Sequence, residues 1–238
     1  MSKRFIIKLL FVCGLFISGQ QVGWAQKNYG KLLLKFNYTA SGKVLLMRDS
    51  NYTNAFSENY SITRLKYYIS NISLSGNDVF LVDASKEDSI QVQAFPGVYS
   101  KLVFTLGVDS ILNCSGAQEG ALDPLNGMFW TWNSGYVFFK MEGYSPSSTA
   151  DLHRIEHHIG GYQGIHKASR KIELFFKEPL LINEDDFKTI QLQMDLDKYW
   201  QGKNDIIIAA NALIMIPGEG AKRVADNFAG MFSIISIK

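Results

Sequence analysis

Apolar and polar residues alternate over short runs along most of this chain. Leu102, Phe104 and Leu106 share one face of a run over 101–108, and Ile190, Leu192 and Met194 do the same over 190–196. A period of two is what a strand with one buried face requires. Comparable runs cover 31–38, 61–74, 79–82, 89–94, 136–141, 171–176 and 205–209, each bounded by turn-forming residues. The run over 136–141 is apolar on both faces, as a central strand is. Tyr67-Tyr68 breaks the alternation and predicts a bulge. Two short helices are expected. One covers 197–200, closed by Gln201-Gly202. The other covers 221–231, where Val224, Phe228 and Met231 fall at helical spacing after Pro217-Gly218.

No long 3.6-residue periodicity alternates with the strands, which argues against a βαβ fold. The expectation is an all-β protein. It is a single two-sheet antiparallel β-sandwich, jelly-roll-like, with one or two short helices, one near the C-terminus. No internal repeat, low-complexity tract or interdomain linker divides it.

The N-terminus has the pattern of a secretory signal peptide over 1–25. Lys3, Arg4 and Lys8 precede an apolar stretch over 9–17, and Gly23-Trp24-Ala25 supplies the cleavage site. That stretch is too short for a comfortable span, and no later one reaches roughly 18 apolar residues. The expected product over 26–238 is one exported domain, periplasmic or extracellular, and not an integral membrane protein. Three of the 24 basic residues fall in the leader, so the remaining 21 nearly balance 22 acidic ones. No Lys/Arg cluster marks a nucleic-acid groove. Cys13 leaves with the leader and Cys114 remains alone, so the exported chain forms no internal disulfide.

Two features concentrate the candidate chemistry. Trp130 and Trp132 lie two residues apart between a Gly/Asp/Asn-rich loop and the apolar run at 136–141. In a strand, Met128, Trp130 and Trp132 share a face. The plain reading is that both indoles anchor the core. All four histidines, His153, His157, His158 and His166, fall within 153–166, and imidazole is the commonest protein ligand for copper or zinc. Met128 could add a soft thioether for Cu(I), although core filling is its ordinary role. Asp109 and Asp123 suit Asx-type loop organisation, and Asn133-Ser134-Gly135 suits a tight turn. Glu142, at a strand end before Gly143, suits a structural ion pair.

LKYYISNISL at 65–74, the GVDS…GALDP…GMFWTWNSGY…EG run from 107 to 143, HIGGY at 158–162 and ADNFAGMF at 225–232 together resemble the MbnP-like family. These are bacterial secreted copper-binding proteins associated with methanobactin operons. The resemblance implies a secreted β-protein rather than an enzyme. For some relatives it implies a copper site, Cu(I) favoured, built with a tryptophan oxidised to kynurenine by a partner diheme peroxidase-like enzyme. An outer-membrane transporter is a second implied partner. An intact indole offers only an N–H donor, whereas ring opening exposes an aryl amine. His158, inside the matching HIGGY piece, is the preferred ligand, with His157 and His153 behind it. Many family members carry a further His on the first strand or near the C-terminus, where this chain has Phe36-Asn37-Tyr38 and Ile235-Ser236-Ile237-Lys238.

Three functions follow as expectations. The first is copper acquisition or sequestration. The second is a non-catalytic binding or surface module that has lost the metal; an exposed aromatic platform, with Tyr67-Tyr68 as candidates, would make it a carbohydrate- or partner-binding module. The third is zinc hydrolysis, because His153-Arg154-Ile155-Glu156-His157 fits the H-x-x-E-H spacing, which needs a helix to bring both imidazoles to one face. No G-x-S-x-G, Walker loop or C-x-x-C occurs.

Overall fold

The computed structural model describes residues 28–48, 50–86, 89–131 and 134–238. The leader over 1–25, Trp132 and Asn133 therefore lie outside the described residues. In chain order the first strands are β1 (Gly30–Ala40), β2 (Lys43–Val44), β3 (Tyr52–Thr53), β4 (Asn59–Ile72) and β5 (Gly76–Asp83). There follow β6 (Ser89–Ala94), β7 (Gly97–Leu106), β8 (Phe129–Thr131), β9 (Gly135–Tyr144) and β10 (Arg154–Gly160). The last are β11 (Arg170–Ile182), β12 (Phe187–Asp195), β13 (Leu213–Ile214) and β14 (Phe232–Ile237). The helices are α1 (Ser110–Cys114), α2 (Asp197–Trp200), α3 (Ile208–Asn211) and α4 (Glu219–Met231).

The strands form two sheets in a sandwich-like arrangement. One runs β14-β12-β1-β2 with β6 also on β1; the other runs β11-β7-β4-β9-β10-β13, with β3 and β5 on β4 and β8 on β9. Both sheets are mixed rather than wholly antiparallel, because β1 pairs β12 and β10 pairs β13 in parallel. A parallel pair needs a long crossover, and residues 41–186 intervene between β1 and β12.

Period-two burial builds the core. Leu32, Leu34 and Phe36 of β1 face inward with Ile190, Leu192 and Met194 of β12, against Leu102, Phe104 and Leu106 of β7. The rings of Phe36 and Tyr67 meet edge-on at 5.9 Å, and Phe104 and Phe232 at 5.3 Å, joining the sheets. Each such side chain contributes about 2–3 kcal/mol by leaving water. Helix α4 buries Ala221, Val224, Ala225, Phe228 and Met231 along one face, and Phe228 packs 5.1 Å from Phe139. Among the described residues no helix is long and apolar enough to cross a membrane.

Three local expectations are corrected. Tyr67 and Tyr68 do not mark a bulge; the register of β4 shifts instead at 62–64 and 70–72. Both rings are wholly buried: Tyr67 faces the core against Phe36, Phe139 and Phe232, and Tyr68 is covered because the chain over 107–126 returns across the outer face of the second sheet. There the Tyr68 hydroxyl donates to the Ala121 carbonyl at 3.0 Å and Ser70 donates to that of Gly107 at 2.9 Å. The aromatic platform is thereby closed. The run 205–209 is not a strand: a single bridge joins Gln201 to Asp205 and α3 follows. Buried Glu58 imposes this turn, its carboxylate accepting from the backbone N–H of Ile208 and Ala209 at 2.7 and 2.9 Å. The histidine region, finally, is a strand, β10.

Candidate metal centre on the outer face of the second sheet

Because β10 is a strand, successive histidines point apart. Ile155, His157 and Ile159 are buried inward, while Arg154, Glu156 and His158 face outward. His157 is fully enclosed. Its Nε2–H donates to the Asn211 carbonyl at 2.5 Å and its Nδ1 accepts from the Tyr199 hydroxyl at 2.6 Å. A carbonyl can only accept, so the tautomer is fixed. Burial pushes this imidazole down to about 4, which keeps it neutral. Both ring nitrogens are spent, so His157 is not placed to bind a metal.

His153 is exposed at the opposite end of β10, in a turn where its Nδ1 lies 3.1 Å from the Ser148 carbonyl. It stands five positions before His158 along the chain, roughly 16 Å at strand spacing. His166 lies beyond β10 with Nδ1 3.6 Å from a Glu219 carboxylate oxygen. It edges a small cleft of about 130 Å³ with Ser134, Gly161, Tyr162 and Pro217. The four histidines thus disperse. The helical H-x-x-E-H arrangement is also not formed, because Glu156 and His157 leave opposite faces of a strand.

His158 is different. It is half-buried, and its Nε2 lies 2.9 Å from Glu142 Oε1 on the neighbouring strand β9. The other Glu142 oxygen holds Arg64 Nη1 at 2.6 Å, and Lys140 Nζ lies 3.6 Å from Oε1. The hydrogen bond from His158, aided by Arg64 and Lys140, holds the Glu142 carboxyl below the usual range despite burial. With Nε2–H donated to Glu142, Nδ1 is the ring nitrogen left to offer a lone pair to a metal. No described residue hydrogen-bonds to that atom. A carboxylate that orients one imidazole nitrogen and frees the other is the common support of a metal-binding histidine.

Trp130 lies on the same face. Its six-membered ring rests on Gly160: a Cβ there would sit 2.7 Å from Trp130 Cζ3 and 2.6 Å from the Tyr136 carbonyl. Gly160 follows His158 by two residues, roughly 7 Å along the strand. The structure therefore pairs His158 with Glu142 and seats Trp130 on Gly160, two residues further along the same strand. It does not bring in Met128, which is wholly buried in the core with its carbonyl accepting from Val137 N at 2.8 Å. Asp109 accepts from Ile111 N and Leu112 N, and Asp123 from Leu125 N. These carboxylates shape the loop that carries β8. Cys114 is exposed in the same region.

Sequence reasoning missed the partners of His158. Arg64, Lys66 and Lys140 belong to its surroundings, and Gly160 is the floor under Trp130. The one available signal was the small residue two places after His158 in HIGGY. Among the described residues no three His, Cys, Asp or Glu side chains converge as a metal cage.

Fold and face together define a sandwich-like β-protein with a histidine–carboxylate pair and an indole on one outer sheet surface. The MbnP family model matches residues 29–216, and the chain belongs to the MbnP family. Among solved structures, MbnP from Methylosinus trichosporium superposes with a TM-score of 0.52 at 16% identity, over 74% of this chain and 79% of that one. At that identity the likeness is one of fold. A search of the curated proteins returns no match.

Proposed function

We propose that this chain is an exported Cu(I)-binding protein that serves copper acquisition or sequestration, with His158 as its imidazole ligand. The observation that carries the reading is the Glu142–His158 pair, which leaves Nδ1 unengaged on the face where Trp130 rests. One imidazole alone holds copper weakly, and an intact indole has no lone pair to add. Oxidation of Trp130 or Trp132 to kynurenine supplies a second nitrogen. The want of a three-ligand cage of ordinary side chains among the described residues accords with such a donor. Soft Cu(I) accepts few ligands, unlike Zn²⁺ with its usual four. A diheme peroxidase-like partner performs the oxidation in this reading, and an outer-membrane transporter receives or supplies the cargo. Fragmentation mass spectrometry of protein co-produced with the oxidase should place kynurenine at 130 or 132. Unmodified indoles at both positions would overturn the proposed ligand set.

A second reading is a binding module of the same fold without metal. The engagement of His157 by Tyr199 and Asn211 and the distance of His153 favour it, since neither supplies a second imidazole. Absence of stoichiometric copper uptake by the protein bearing the oxidised tryptophan would select this reading.

A further inference from the structure

We propose that the cleft beneath the 126–127 turn binds a small oxyanion carrying at least two negative charges, a polycarboxylate or phosphate. Asp83, Lys66, Lys140 and His158 are successive cross-strand partners in one row over β5, β4, β9 and β10. Lys66 thus stands directly opposite Lys140. Like charges in that relation destabilise an antiparallel pair, and here both side chains are largely buried, at 18% and 12% exposed. Asp83 and Glu142 offset this repulsion only in part, and a local rule broken this way points to a ligand.

Charge and donor counts agree. Arg64, Lys66 and Lys140 face two carboxylates, Glu142 and Asp83, so one positive charge is uncompensated. Lys140 Nζ donates to the Gly127 carbonyl at 2.8 Å, and Lys66 Nζ lies 3.3 Å from both the Asn126 carbonyl and Asp83. An ammonium has three donors, so each lysine keeps capacity for a further acceptor. Arg64 engages Glu142 through Nη1 alone. These three cations and the Asn126-Gly127 backbone enclose a cleft of about 190 Å³, room for one small anion. Lys140 of its lining pairs across the strands with His158, but the cleft depends on no metal.

Calorimetric titration of the exported chain, free of copper and at low ionic strength, with citrate and separately with inorganic phosphate, tests this. Saturable one-to-one binding of at least one probe is expected, and which probe binds identifies the ligand type. Lys66→Gln and Lys140→Gln should each weaken it about tenfold or more, the worth of one charge-assisted hydrogen bond. Lys171→Gln, at an exposed ion pair elsewhere, should not. Without anion, neither cleft variant should melt below the native protein, since each removes a repulsion. Absence of saturable binding by both probes, or native affinity in both cleft variants, overturns the proposal. So does a lowered melting temperature in both variants without anion, which would mark the lysines as supports for the turn. None of these outcomes bears on copper.

Discussion

Glu142 Oε1 lies 2.9 Å from His158 Nε2, while the same carboxylate grips Arg64 at 2.6 Å through its second oxygen. The imidazole is therefore held in one orientation by a group that is itself anchored across the sheet. Removing the anchor should leave the ligand in place but free to turn. Glu142→Ala is expected to lower Cu(I) affinity about 10- to 100-fold, the usual cost of losing such a partner. Competition against a chromophoric Cu(I) chelator measures it. Native affinity in the variant would show that the pair is only a surface contact.

His157 makes a prediction about pH. Its folded pKa is depressed to about 4 from 6.5, so the unfolded chain binds a proton there first. Its stabilising effect is complete above pH 6.5 and is lost as pH falls toward 4, by about 3 kcal/mol in all. Glu142 and Asp226, also depressed, act below the ordinary carboxylate range, so the upper part of this window isolates the histidine. Urea unfolding at pH 7 and pH 4.5 should show the decline. Equal stability at the two values would mean that His157 is not enclosed.

Glu58 ties distant parts of the chain together. Its carboxylate accepts from Asn54 Nδ2 and from two N–H groups that open α3, and the carbonyl of Asn211 in α3 accepts from His157. Glu58→Ala leaves three donors without an acceptor, two of them buried, Asn54 Nδ2 and the Ile208 N–H. We expect a loss of about 3 kcal/mol or more, and a smaller loss for Glu58→Gln, which keeps one acceptor oxygen. Denaturant midpoints decide, and a change below about 0.5 kcal/mol, typical of surface sites, would refute the clamp.

Gly160 tests the placement of Trp130. A methyl group there meets the indole ring and the Tyr136 carbonyl at under 3 Å, so the ring must move. Gly160→Ala should destabilise the fold by about 1–3 kcal/mol and change the tryptophan emission. An unaltered spectrum would place the indole elsewhere.

How much of this was legible in the sequence depended on whether the cause was local. Alternation at Leu102, Phe104 and Leu106 and at Ile190, Leu192 and Met194 needs only the strand's own period, and those residues are buried as the pattern implies. Val224, Phe228 and Met231 located α4 for the same reason. Tyr68 misled because its cover comes from Ala121, more than fifty residues away. The 205–209 segment misled because Glu58, about 150 residues upstream, caps the turn that follows. At the site, proximity along the chain was the wrong guide. A strand sends His157 and His158 to opposite faces, and the useful partner of His158 arrives from β9.

The central claim is tested most directly by a Cu(I) competition titration on protein bearing the oxidised tryptophan, native against His158→Ala, with melting temperatures in parallel. One equivalent of tightly held Cu(I) in the native protein, lost in a variant that melts as the native does, is the predicted result. Equal copper retention by both proteins would contradict it.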